Sequence, residues 1–368
     1  HQLLAGLLKL QRKSDEAAQH LNIALQIQPN ADGYADLARL YERINRTDDA
    51  TSMAEKALQL DPGNLPATMA LADLEKRAGN FERAEALFRD ITLNPRKENI
   101  VGTASISLGQ VLDRQGRYAE AFTAFETGNA IWSGIADEMR IDRHEISNQV
   151  ARSQEYVQSG AVARWSTHQP VADDRHPPIF FVGFPRSGTT LVERILDQHQ
   201  QVVSSKELPL LHLLTPQLKA LDRCSRGYPY CLDDLSTDGM RTLRAGYWHH
   251  AEQAMNTLTR SSILVDKLPL NILSLLPARI FPDARILVAL RDPRDVCLSC
   301  YMQAFALNSS MVNFLTLEST ARFYSEVMGF WLNCRAALPN EWLEYRYEDL
   351  VDDFDGVTRK IFDFIGLQ

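Results

Sequence analysis

Nothing in this chain approaches the ~20 consecutive apolar residues of a membrane-spanning helix, so no membrane partner is expected. No leader segment is visible, but the chain starts at His1 rather than methionine. A missing true N-terminus is therefore the expectation, and export stays open. Positive charge is short as well. The 39 Lys and Arg stand against 47 Asp and Glu, a formal net charge of -8. That argues against a nucleic-acid partner while leaving room for a local basic site. Cysteine is scarce and odd in number, five in 368 residues, which suits a reducing, cytoplasmic setting rather than a disulfide scaffold. Cys224 and Cys231 flank a turn-like Ser-Arg-Gly-Tyr-Pro-Tyr and would pair only on export. Cys297 and Cys300 form a C-x-x-C with no second pair, which reads as thiols on a helix rather than a zinc site. His249-His250 reads as a polar helix face rather than a metal pair.

What the chain does have is ordinary bulk. Hydrophobic residues make up 45% and charged residues 23%, and the length accommodates two domains. Its organising stretch is Pro178 to Leu191, where the apolar run Ile179-Phe180-Phe181-Val182 ends at Gly183. A loop with Pro185, Arg186, Ser187 and Gly188 follows, and a helical apolar pattern then begins at Leu191 and continues through Ile195 and Leu196. Strand, glycine-containing loop and helix together make a phosphate cradle, from inward N–H groups and a helix N-terminus. The glycines have the G-x-x-x-x-G spacing of a nucleotide P-loop, but Thr189 stands where that loop needs lysine. An ATP-using kinase is disfavoured by the same absence.

Residues 1–130 repeat themselves. Leu4, Leu37, Leu71 and Leu108 lie 33, 34 and 37 residues apart, and an alanine follows each after 13 residues: Ala17, Ala50, Ala84 and Ala121. Pro29, Pro62 and Pro95 close the first three units. Small residues let paired helices approach, and proline ends the second of each pair. The pattern resembles the tetratricopeptide (TPR) family over about four units, the first incomplete, with a departure at Glu75. A solenoid of this kind offers a concave surface for a peptide or protein. It serves equally as a spacer or as a platform for a homodimer. Residues 131–177 read as a helical linker, with loosely helical Ile141, Ile146, Val150 and Val157 and a proline-bounded stretch from Pro170 to Pro178.

From 178 to 368 short apolar runs alternate with helical patterns such as Ile272 to Ile280. The runs are Val202-Val203, Ile263 to Val265, Ala284 to Leu290 and Trp342 to Tyr347. The fold class expected is an all-α repeat solenoid followed by an α/β, P-loop-like parallel sheet. Ligands sit beyond the carboxyl ends of such strands. That brings Arg186, Glu207, Lys267 and Arg291 into one candidate cleft. Arg291-Asp292-Pro293-Arg294-Asp295 places a guanidinium at a strand end before a helix, with Ser299 about two turns along. Together they suit a second phosphate. Taken alone, Arg291 is a surface ion pair with Asp292 or Asp295.

Gly183 to Leu191 resembles the 5′-phosphosulfate-binding loop of the sulfotransferase superfamily. Arg291 to Arg294 with Ser299 resembles its 3′-phosphate element. The likeness is nearest to the tyrosylprotein branch and to bacterial TPR-containing sulfotransferases. It implies sulfuryl transfer from 3′-phosphoadenosine 5′-phosphosulfate (PAPS), yielding adenosine 3′,5′-bisphosphate, to an acceptor hydroxyl of a protein tyrosine, a sugar or a small molecule, without a metal. It assigns the base to Glu207, a cation at the leaving oxygen to Lys267, and charge neutralisation to Arg186. Ser187, Gly188, Thr189 and Thr190 would cradle the 5′-phosphate, with Tyr347 near the donor. Without the resemblance, Glu207 is a surface residue beside Lys206, Lys267 an ion pair with Asp266, and Tyr347 core packing in an alternating strand. Leu208, Pro209, Leu210 and Gln303 stand where the tyrosylprotein branch carries arginines, which weighs against an acidic peptide acceptor. The chain ends at Gln368, before the family's last donor-site residues, so C-terminal truncation is expected. A TPR scaffold with an inactive transferase domain is the alternative.

Overall fold

The computed structural model describes residues 1–10, 14–94, 97–167, 175–221 and 227–367. Pro95, Cys224 and most of the proline-bounded stretch lie outside them. The chain divides into two compact units: His1–Ile141 with Tyr301–Thr316, and Asp142–Cys300 with Leu317–Gln368.

The first unit contains the helices α1 (Gln2–Leu10), α2 (Ser14–Ile27), α3 (Ala31–Arg43), α4 (Thr47–Leu60), α5 (Leu65–Ala78), α6 (Phe81–Thr92), α7 (Glu98–Arg114) and α8 (Tyr118–Glu138). Ala17, Ala50, Ala84 and Ala121 are each 2% exposed or less, so the helices of a pair meet at a bare methyl group. Leu37, Leu71 and Leu108 are buried with them, whereas Leu4 is 43% exposed and Ala5 and Leu8 face inward instead. Gly109 takes the place of the alanines Ala5, Ala38 and Ala72 for a steric reason. A Cβ there would lie 2.6 Å from the Phe125 ring. Glu75, the departure in the third unit, is nearly buried but satisfied, 3.0 Å from Arg83 and accepting from Asn80 at 2.7 Å.

The short segment 301–316 completes this unit. Tyr301 is buried against Phe122 and Phe125, and its carbonyl accepts from Asn129 at 3.0 Å. The Met302 carbonyl accepts from Gln110 at 2.8 Å, and Val312 and Leu315 pack on Ala136.

The second unit is built on five parallel strands in the order β2-β3-β1-β4-β5: β1 (Ile179–Gly183), β2 (Val202–Ser204), β3 (Ile263–Lys267), β4 (Arg285–Leu290) and β5 (Trp342–Arg346). The helices are α9 (Glu145–Gln158), α10 (Thr189–Leu196), α11 (Thr215–Leu221), α12 (Thr237–Ala254), α13 (Leu276–Ile280), α14 (Pro293–Tyr301, its last residue in the first unit), α15 (Leu317–Cys334), α16 (Tyr347–Asp352) and α17 (Phe354–Ile365). β1 and β3 are buried along their whole length, as strands covered on both faces must be. Ile179 and Phe181 pack under α10 and α17 with Val192, Leu196, Ile361 and Ile365. Phe180 faces the other way, onto Tyr247 and Phe281.

The helix expected from Ile272 to Ile280 is two short pieces. A 3₁₀ turn spans Pro269–Leu273, Ser274 is extended, and α13 starts again with Pro277 in its first turn. Proline lacks the N–H that an unbroken helix would need there. Among the described residues no helix is long and apolar enough to cross a membrane.

Candidate active site

β1 is the central strand, and the chain order reverses on either side of it, between β3 and β4. Parallel sheets bind ligands at such a switch point, beyond the carboxyl ends of the strands. The loop from Phe184 to Gly188 therefore occupies the position that the topology favours. Gly188 caps α10 with a φ of 85°, and a Cβ on it would lie 2.4 Å from Cδ2 of Tyr347. Arg186, with a φ of 70°, is a left-handed non-glycine residue that turns its side chain outward. Such a conformation costs about 1 kcal/mol or more and recurs where function fixes the backbone. Ser187 and Thr189 are buried and Thr190 is exposed. The Ser187 N–H donates to the Phe184 carbonyl at 3.3 Å and the Leu191 N–H to the Gly188 carbonyl at 3.1 Å, which closes the turn into α10.

On one side of the loop lie the β4 and β5 ends. Arg186 Nε donates to Ser299 Oγ on α14 at 3.0 Å. Arg291 donates to the Arg186 carbonyl at 3.2 Å, and its guanidinium carbon stands 4.8 Å from the centre of the Tyr347 ring. Tyr347 begins α16 rather than ending β5, so its ring leaves the strand's alternation and lies against Arg291 and Gly188. The expected surface pair of Arg291 is weak. Asp295 is 3.5 Å away, and Asp292 is taken by Arg294 at 2.7 Å, whose guanidinium holds its carboxyl well below the usual range. Glu348 accepts from the Asp292 N–H at 2.8 Å. Desolvation pushes the Glu348 carboxyl up, but that bond and the nearby Arg346 and Arg291 bring it down on balance.

On the other side lie the β2 and β3 ends. Lys267 Nζ is 2.6 Å from Glu207 and 2.9 Å from Glu193, with only 3% of the lysine side chain exposed. Lys267 does not pair with Asp266, because successive strand residues point to opposite faces. Asp266 is fully buried and accepts from Tyr247 at 2.8 Å and from Ser205 at 3.3 Å. Burial pushes its carboxyl up to about 7, against the two hydrogen bonds. Glu207 sits on a left-handed pair, Lys206 at φ 48° and Glu207 at φ 65°. The Glu207 N–H donates to the Lys267 carbonyl at 3.1 Å, and the Lys267 N–H donates to Ser205 Oγ at 2.9 Å.

Glu193, Ser204 and Ser205 escape sequence reasoning. The apolar pattern of α10 suggests a core face through Leu191 and Ile195. In the fold the buried stripe is Thr189, Val192, Glu193 and Leu196, and Leu191 is 40% exposed. The signal available was a carboxylate one residue from Val192, inside a three-to-four-residue repeat.

The donor set suits an anion with phosphate groups. Arg291 Nε is a buried donor with no hydrogen-bond partner. No cluster of His, Cys, Asp or Glu suited to a metal occurs among those residues. Leu210 is fully buried, and Gln303 belongs to the first unit.

A parallel sheet with a glycine-bearing strand–loop–helix at its switch point and charged strand ends around it defines a P-loop-like α/β domain. The family model for the sulfotransferase family matches residues 177–368 and a tetratricopeptide-repeat model matches residues 45–104, so the chain belongs to the sulfotransferase family and carries TPR repeats. It is 24% identical, over 385 residues and 99% of its own length, to an uncharacterised protein of Aquifex aeolicus (strain VF5). It spans about half (47%) of that relative. It is also similar to the crystal structure of sulfotransferase STF9 from Mycobacterium avium, with 17% identity over 60% of this chain and 69% of that one and a TM-score of 0.34.

Proposed function

We propose that this protein transfers a sulfuryl group from PAPS to an acceptor hydroxyl, with the TPR array as a platform for the acceptor or a partner. The observation that carries the reading is the meeting of Glu207 and Lys267. Sixty residues apart in sequence, they stand 2.6 Å apart at neighbouring strand ends beside the phosphate loop.

The donor supplies an electrophilic sulfur and a phosphate leaving group that gathers negative charge. Each residue then has a task that its own chemistry allows. The N–H groups of Ser187 to Thr190, with the threonine hydroxyls, would hold the 5′-phosphate. Arg186 would neutralise charge on the transferring group. Arg291 and Ser299 would grip the 3′-phosphate, with Tyr347 stacked on Arg291 to fix its plane. Glu207 would accept the proton of the attacking hydroxyl as its oxygen bonds to sulfur. Lys267 would hold the charge on the departing oxygen, or return a proton to it. Positioning and charge neutralisation of this kind are what an in-line group transfer requires.

Thermal stabilisation by adenosine 3′,5′-bisphosphate, compared with ATP and ADP, tests the donor. A nucleotide at 100 times its Kd adds about 2.7 kcal/mol to stability. Stronger stabilisation by ATP would overturn the reading, and no shift with any nucleotide would favour an inactive scaffold. Glu207→Gln should bind adenosine 3′,5′-bisphosphate as the wild type does and slow transfer about 10²- to 10⁴-fold. Unchanged turnover would remove Glu207 from the base role.

A further inference from the structure

Lys267 lies between two carboxylates that differ in exposure and in their other partners. Glu193 is on α10, in the buried stripe, with its side chain 10% exposed. One of its oxygens faces Lys267 and the other accepts from Ser204 Oγ. That hydroxyl in turn accepts from the Lys206 N–H at 3.1 Å. Glu207 has a side chain 50% exposed, and Lys267 is its side-chain partner.

We propose that Glu193 is the positioning residue of this site, the standing counter-ion of Lys267. It leaves Glu207 free to exchange its lysine contact for a proton. The second half of this statement rests on the sulfotransfer reading; the first does not.

Charge counting supports it. Lys267 with two carboxylates carries a net charge of −1. When the attacking hydroxyl bonds to sulfur and its proton passes to Glu207, the cluster becomes neutral, and Lys267 keeps a charged partner in Glu193. Were Glu207 its sole counter-ion, the same proton would leave a buried ammonium unpaired, which is strongly unfavourable. Glu193 also reaches the turn that carries Glu207, through Ser204 and the Lys206 N–H. The lysine and the base-bearing turn therefore share one anchor on the helix that begins at the phosphate loop.

The test uses the full chain labelled with ¹⁵N-lysine, in which an ammonium gives an observable proton–nitrogen signal when an ion pair protects it from exchange. The Lys267 signal is assigned by its loss in Lys267→Arg. The signal is expected to survive in Glu207→Gln and to vanish or shift in Glu193→Gln. Equal behaviour of the two variants, the reverse order, or no wild-type signal would each overturn the assignment. If Glu193→Gln does not melt cooperatively, Glu207→Gln decides alone, since loss of its signal refutes the proposal. Adenosine 3′,5′-bisphosphate added to the same samples separates the two questions. Failure to stabilise the wild type counts against the sulfotransfer reading and leaves the lysine assignment standing.

Discussion

Replacing Gly188 by alanine tests whether the loop before α10 and the Tyr347 ring are one packed unit. Two costs follow from the structure. The φ of 85° is left-handed, which costs a residue with a Cβ about 1–2 kcal/mol. The new methyl would lie 2.4 Å from Cδ2 and 3.0 Å from Cε2 of Tyr347, an overpacking worth about 1–3 kcal/mol. Loss of glycine's freedom in the unfolded chain gives back roughly 0.4–1 kcal/mol. The net expectation is a destabilisation of about 1–5 kcal/mol, or roughly 2–20 °C in Tm for a unit of this size. The assay is thermal and urea unfolding of Gly188→Ala, Tyr347→Ala and the double variant. Once the ring is gone only the backbone cost remains, so Gly188→Ala should cost about 1–3 kcal/mol less in the Tyr347→Ala background. Equal costs in both backgrounds would refute the reasoning, because the ring would then not be what glycine makes room for.

Two further outcomes follow from the same site. Arg291→Ala should weaken adenosine 3′,5′-bisphosphate about 10- to 100-fold, the value of a charged hydrogen bond, and leave adenosine 5′-phosphate nearly unaffected in calorimetry; equal losses for both would remove Arg291 from the 3′-phosphate. Burial holds the Asp266 carboxyl at about 7, above the ~3.9 of an unfolded chain, so the folded state keeps a proton and that stabilisation, complete below pH 4, is lost as pH rises through 7. Urea unfolding of Asp266→Asn should lack this decline, a difference of up to about 4 kcal/mol between pH 4 and pH 8; parallel pH profiles for the two proteins would contradict it.

The strands were legible because each is a short apolar run that ends in charge. The sheet then places those charges at one end without further information. The repeats were legible through spaced small residues, which have one steric purpose. Less could be read where a side chain's role depends on helix phase. One residue of rotation in α10 moves Leu191 outward and puts Glu193 against Lys267. The run from Trp342 stops being strand one residue early, at Arg346, because alternation within β5 says nothing about where the strand turns into α16 at Tyr347. The bond between the turn before Glu207 and the buried Asp266 spans 61 residues, and no local pattern encodes a contact of that range.

The segment 301–316 bears on the order in which the chain can fold. Gln110 and Asn129 await partners 192 and 172 residues further along, and the Tyr301 ring belongs against Phe125. During synthesis at about 5–20 residues per second, α7 and α8 therefore emerge well before the residues that cover them. A fragment cut after Ile141 would leave that aromatic surface bare. Proteolysis or chaperone binding should single it out, and the repeats closest to the transferase sequence should be the last to become protected against hydrogen exchange.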